Sequence, residues 1–127
     1  MPYHQQHHSD LDVFETVYTG VVSADELQKA IDEGNDFHLK QGVENFLADL
    51  SELQSAPTIL DVFDLPRQYD NAGVTRSSRM AVVIPKSREM QSLAEFYETV
   101  CLNRGWNVRL FETRDEAVSW LQSDGLS

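Results

Sequence analysis

Apolar side chains recur along this chain at two different periods, and the switching between them predicts its elements. Residues 13–22 (VFETVYTGVV) are rich in β-branched and aromatic side chains and read as a strand, with Gly20 as a place to bend. Ser23 and Glu26 then form a capping box ahead of Leu27, Ala30 and Ile31 at helical spacing, and Gly34 is placed to end that helix. Residues 46–50 make a short apolar run broken by Asp49, the pattern of a buried strand. Pro57 suits the first turn of a second helix, with Ile59, Leu60 and Phe63 as its core face and Pro66 as its stop. Residues 67–79 show no apolar period and read as the longest loop, and residues 1–10 (MPYHQQHHSD) read as a disordered polar tail.

The second half repeats the alternation. Residues 80–84 (MAVVI) carry no charge, as expected of a parallel strand covered on both faces. Ser87 can cap a third helix in which Met90, Leu93, Ala94, Tyr97, Val100 and Cys101 share one face, with Gly105 as its stop. Val108 and Leu110 alternate with Asn107 and Arg109, which predicts a strand near a sheet edge. Thr113 and Glu116 make a second capping box for a last helix bearing Ala117, Val118, Trp120 and Leu121. The order is β-α-β-α-β-α-β-α, which predicts the α/β class: a small, mainly parallel or mixed sheet of four to five strands with helices packed on it. A single domain is expected over residues 11–123, with a short C-terminal tail at 124–127.

Charge narrows the function. Ten Lys and Arg against 21 Asp and Glu give −11 with a pI near 4.6, a field that repels nucleic-acid phosphates and anionic lipid surfaces. The longest unbroken apolar run has five residues, whereas a membrane span needs about 20. No stable membrane insertion is therefore expected, and the polar N-terminus does not read as a secretory signal. One cysteine cannot form an intrachain disulfide, which fits the cytoplasm.

Local catalytic signatures are missing. The six glycines are too scattered for a dinucleotide fingerprint or a phosphate loop, and there is no Gly-x-Ser-x-Gly, His-Glu-x-x-His or Cys-x-x-Cys. No catalytic residue, cofactor or metal site is expected. His4, His7 and His8 read as part of the polar tail, and His38 as a loop residue without a local partner. Cys101 falls on an apolar helix face, where a thiol behaves as a small hydrophobe.

Ligands of parallel α/β sheets sit beyond the carboxyl ends of the strands. Two such places carry suggestive chemistry. Lys86, Ser87 and Arg88 put two cations beside the N-terminus of the third helix, a setting for a small anionic ligand or a lipid head group. Ser51, Ser55 and Thr58 put three hydroxyls near the start of the second helix, where a phosphate would be stabilised. Arg67, Arg76, Arg79, Lys86 and Arg88 also form a basic island in the sequence, opposed by Asp70 alone. Because Arg76 and Arg79 precede the central strand while Lys86 and Arg88 follow it, two separate patches are expected.

Several stretches together resemble the SpoIIAA-like proteins of the STAS/SEC14-like superfamily. They are Gly20-Val-Val-Ser-Ala-Asp-Glu-Leu27, Phe46-Leu-Ala-Asp-Leu-Ser51, Arg79-Met-Ala-Val-Val-Ile-Pro85, Arg104-Gly-Trp-Asn-Val-Arg-Leu-Phe111 and Glu116-Ala-Val-Ser-Trp-Leu121. The similarity runs from about residue 12 to 122. It implies a non-enzymatic binding or regulatory module that contacts a protein partner or a second copy of itself. In such antagonists of anti-sigma factors, a strand-to-helix loop carries an acidic-Ser-Ser-Gly motif with a phosphorylatable serine. The match places Gln54-Ser55-Ala56-Pro57 there, making Ser55 the candidate acceptor, with Gln54 in place of the acidic residue and no glycine following. The superfamily's lipid carriers make a small-molecule or lipid binder the alternative.

Overall fold

The computed structural model describes residues 2–56 and 59–123. Its order is β1 (Tyr3–His8), β2 (Val13–Val21), α1 (Ala24–Gln41), β3 (Asn45–Ser55), α2 (Ile59–Phe63), α3 (Leu65–Ala72), β4 (Arg79–Val83), α4 (Arg88–Asn103), β5 (Asn107–Phe111) and α5 (Arg114–Leu121). The strands form one sheet in the order β1-β2-β3-β4-β5. β2 to β5 are mutually parallel and β1 is antiparallel to β2, so the α/β expectation holds with a mixed five-stranded sheet. Sequential parallel strands joined by right-handed crossovers must place every crossover helix on one face. α1, α2, α3 and α4 are all crossovers; α5 is not, and it folds onto the opposite face.

The two faces therefore have different cores. On the crossover face, Tyr18, Leu53 and Met90 pack with Leu27 and Leu93, while Val82, Cys101, Trp106 and Val108 pack with Tyr69 and Tyr97. On the other, Val13, Leu47, Ala81 and Val83 meet Ala117 and Leu121 of α5. Arg79 ties α5 down from β4: Nη1 donates to the Trp120 carbonyl at 3.0 Å and Nη2 to the Leu121 carbonyl at 2.7 Å. Those are helix-end carbonyls with no partner inside the helix.

Five expectations are corrected. Residues 3–8 are a strand rather than a tail: Tyr3 packs on Tyr18, and Gln5 Nε2 donates to Thr16 Oγ1 at 3.1 Å and the Ala30 carbonyl at 2.9 Å. Polar side chains suit an edge strand, whose outer row meets water. α1 runs past Gly34, which faces the Phe14 and Phe46 rings, and ends instead at Gly42, whose φ of +73° is the left-handed conformation glycine adopts at little cost. His38 is consequently a buried helix residue with Nδ1 on the Val43 carbonyl at 2.7 Å, and Nε2 accepts the Thr75 N–H at 3.3 Å. Residues 65–72 form α3, so Pro66 sits in a first turn rather than at a stop. Phe63 is half exposed and stacks on Phe96 instead of entering the core, because α2 ends there. The side chains of Ile59 and Leu60, the start at Pro57 and the tail at 124–127 lie outside the described residues.

Candidate functional site

β3 overshoots its expected end by five residues, so Ser51 and Ser55 lie on a strand rather than in a loop. Two register shifts against β2 accompany this extension, each adding one residue to β3. They break strict alternation, and Leu50 and Leu53, three apart, both line the same cavity. Ser51 is committed locally: its N–H and hydroxyl both donate to Asp49 Oδ1, at 3.0 and 2.7 Å. Ser55 is exposed, and its carbonyl accepts the Val22 N–H at 2.9 Å. Thr58 lies outside the described residues. Val21, the register partner of Ser55, is 66% exposed, an unusual state for a large aliphatic strand residue.

The second candidate borders the first. Lys86 Nζ reaches Glu52 Oε1 at 3.3 Å, linking the chain after β4 to the extension of β3. Both side chains are largely in solvent, so this pair contributes little stability. Ser87 caps α4, accepting the Met90 N–H at 3.1 Å, and Arg88 is exposed. Among the described residues, no main cavity is lined by Lys86, Ser87 or Arg88. The rest of the basic island is occupied internally. Arg76 lies 4.1 Å over the Trp106 ring and pairs with Asp70, Arg67 pairs with Asp64, and Arg79 holds α5.

Two apolar cavities lie on the crossover face. One of about 120 Å³ is lined by apolar side chains of β2, β3, α1 and α4 together with Tyr69 and Tyr97. A second, of about 80 Å³, continues past the same two tyrosines toward Ser78, Trp106 and Asn107. The Tyr69 and Tyr97 hydroxyls are 2.7 Å apart. Burial raises the pKa of both, and of Tyr18, well above the ordinary phenol value, so all three are neutral hydrogen-bonding groups. Burial also pushes the Cys101 thiol up to about 12, which keeps it from acting as a nucleophile at neutral pH.

Sequence reasoning missed a charged cluster on the α5 face. Glu15 is 7% exposed, and Arg114 at the head of α5 donates to both its oxygens at 2.9 Å, while His8 Nε2 lies 2.7 Å from Oε1. The Arg114 hydrogen bond lowers the Glu15 pKa; burial opposes this and His8 adds to it. The available signal was a lone carboxylate inside an otherwise apolar and hydroxyl-bearing strand, which demands a partner. The cluster fastens β1 and α5 to β2. Strand alternation meanwhile sends His7 to the crossover face, against Phe37, away from His8. Among the described residues no His, Cys, Asp or Glu group is arranged to hold a metal ion.

Comparison with known proteins fits this architecture. No curated protein matches the chain. Among solved structures it is similar to the anti-sigma factor antagonist SpoIIAA in its unphosphorylated form, at a TM-score of 0.63 and 10% identity over 95% of this chain and 98% of that one. It is also similar to a putative anti-sigma factor antagonist from Thermotoga maritima, at 0.61 and 13% identity over 95% of each chain. An uncharacterised Shewanella loihica protein with a SpoIIAA-like fold gives 0.61 and 14% identity over 94% of this chain and 91% of its own. Identities this low speak for the fold alone. The SpoIIAA-like family model, however, matches residues 13–122, from the first residue of β2 to one past the end of α5. A sheet with its crossover helices on one face and a capped last helix on the other is thus matched almost end to end, and the chain belongs to the SpoIIAA-like family.

Proposed function

We propose that this chain is a non-catalytic STAS-type regulatory module that works by binding a protein partner through the carboxyl end of β3. The observation that carries this reading is the exposed Ser55 beside an exposed Val21, at the strand end where a helix follows. Exposed aliphatic surface next to a hydroxyl suits a protein contact: the apolar part supplies burial and the hydroxyl a point of control. Phe63, 51% exposed at the end of α2, is a further exposed aromatic of this module. Ser51, bonded to Asp49, belongs to the proposed surface, and Thr58 is assigned to it from the sequence alone. The partner is a protein in the cytoplasm, or a second copy of the chain. No helix among the described residues is long and apolar enough to cross a membrane.

The test is co-purification from the native host, comparing the wild type with Ser55→Asp and Val21→Asp. A protein retained in stoichiometric amount by the wild type should be lost from both variants, with melting temperatures within about 2 °C because both positions are exposed. Retention of every partner by both variants would remove this surface from consideration. A dimer molar mass for the wild type by light scattering that drops to the monomer mass in both variants would identify the partner as a second copy.

A further inference from the structure

Three buried side-chain polar atoms among the described residues have no hydrogen-bond partner: His7 Nε2, Ser78 Oγ and Trp106 Nε1. His7 Nε2 lies 3.6 Å from an Asp12 carboxylate oxygen on the β1–β2 turn. The other two share one location, since Ser78 and Trp106, 6% and 4% exposed, both line the 80 Å³ chamber. A buried donor left unpaired costs about 1–3 kcal/mol, so two at one cavity indicate an occupant that accepts hydrogen bonds.

The surroundings define that occupant. The inner chamber and the outer one of about 120 Å³ share Tyr18, Ile31, Ala48, Tyr69, Met80 and Tyr97, forming one cleft. Among the described residues Arg79 is the one charged side chain in its lining, and its guanidinium is turned to the α5 carbonyls. An anion in the cleft would therefore be buried without a free counter-charge, since Arg76, over the Trp106 ring, is already paired with Asp70, and that is unfavourable. The outer chamber approaches in size a cavity of about 150 Å³ known to take benzene, and the inner one has room for a small polar group.

We infer that the cleft is a binding site for a small uncharged molecule, one aromatic ring or short alkyl chain ending in a hydrogen-bond acceptor, with the apolar part against Leu50, Leu53 and Leu93 and the acceptor at Trp106 Nε1 and Ser78 Oγ. The class is neutral carbonyl compounds: ketones, aldehydes and esters. This goes beyond the protein-contact reading and stands without it, because none of the cleft's polar atoms belongs to Ser51 or Ser55.

The test uses three probes of one shape on the full chain: acetophenone, α-methylstyrene, which replaces the carbonyl oxygen by CH₂, and benzoate, which is charged. Binding is read by NMR from the two tryptophan indole N–H signals, with Trp120 on the opposite face as internal reference and Trp106→Phe as the assignment. Acetophenone should move the Trp106 signal saturably and leave Trp120 in place. α-Methylstyrene should bind at least about tenfold more weakly, because it forfeits the hydrogen bonds of both donors, and benzoate should not bind. Ser78→Ala should weaken acetophenone and leave α-methylstyrene unchanged, a readout available even if Trp106→Phe does not fold. No saturable shift would overturn the site and leave the donors to ordered water. Equal affinity for acetophenone and α-methylstyrene, or binding of benzoate, would overturn the assignment of a neutral acceptor.

Discussion

The two faces of the sheet solve the same covering problem differently. Four helices lie over the crossover face, yet the two apolar cavities are both there. One eight-residue helix covers the other face and leaves no apolar cavity of that kind among the described residues: Leu47, Ala81, Ala117 and Leu121 are each at most 1% exposed. Three crossovers must bridge different strand pairs and meet one another as well as the sheet, so gaps arise where α1, α3 and α4 converge. α5 answers to no crossover and is fixed at both ends, by Glu15 on Arg114 and by Arg79 on its last carbonyls. A tight face held by directed polar contacts thus backs a looser one that has room for a ligand.

The largest effect that would break this comparison is a pair of leucine truncations in the same strand. Leu47→Ala should cost at the upper part of the about 2–5 kcal/mol range for a buried leucine, because its side chain, 1% exposed, packs into the core under α5, a helix held at both ends. Leu53→Ala should fall at the lower part, since one side of that chain already faces a cavity and lacks contacts to lose. Urea denaturation of both variants measures the difference. Equal costs would mean the crossover face is as tightly filled as the other.

A smaller contrast comes from adding atoms. Ala81 is fully buried under α5, and Ala81→Val should destabilise by about 1–3 kcal/mol through overpacking. Ala48 lines both chambers, so Ala48→Val should change stability by less than about 1 kcal/mol and reduce uptake of any probe that enters the cleft. Thermal melts read the first quantity and NMR titration the second. Ala48→Val costing as much as Ala81→Val would close the cleft as a site.

How much of this was legible beforehand follows from which interactions are local. The capping box at Ser23 and the N-caps at Ser87 and Thr113 are satisfied within four residues, so their helices were readable from the sequence. β1 was not, because a polar edge strand is specified by its partner: Tyr3 is buried by Tyr18, and Gln5 is paired across β2 to α1. α3 was hidden by its proline and by the mostly polar run that follows it, although Leu65, Tyr69 and Ala72 recur at helical spacing. The extension of β3 carries two bulges, which erase the alternation on which strand reading depends. Ser55 and Lys86 could be picked out by residue type, but their shared neighbourhood came only with the Glu52 contact. The cleft could not be read at all, since Ser78 and Trp106 are recognisable as unpaired donors only after every other group has found its partner.

The smallest effect sharpens the comparison by separating the faces with acid. Arg114 holds the Glu15 carboxyl below its ordinary pKa of 4.5, so the unfolded chain takes up that proton before the folded one does. Its contribution is complete above the ordinary value and is lost as pH falls through the lower folded value. Glu15→Gln should therefore cost about 1 kcal/mol at neutral pH, the worth of one partly solvated charged contact, and the gap to wild type should narrow in acid below the ordinary value of 4.5. Denaturation midpoints at the two pH values measure this double difference. The tryptophans report which face yields: Trp120, on α5 against Phe111, should change its fluorescence at a higher pH than Trp106 under the crossover helices. Each is read alone in Trp106→Phe or Trp120→Phe. Simultaneous changes would mean that the two faces unfold as one cooperative unit and that Glu15 and Arg114 give α5 no separate stability. A change in Trp120 first would assign part of the tightness of that face to the acid-sensitive cluster of His8, Glu15 and Arg114 as well as to packing.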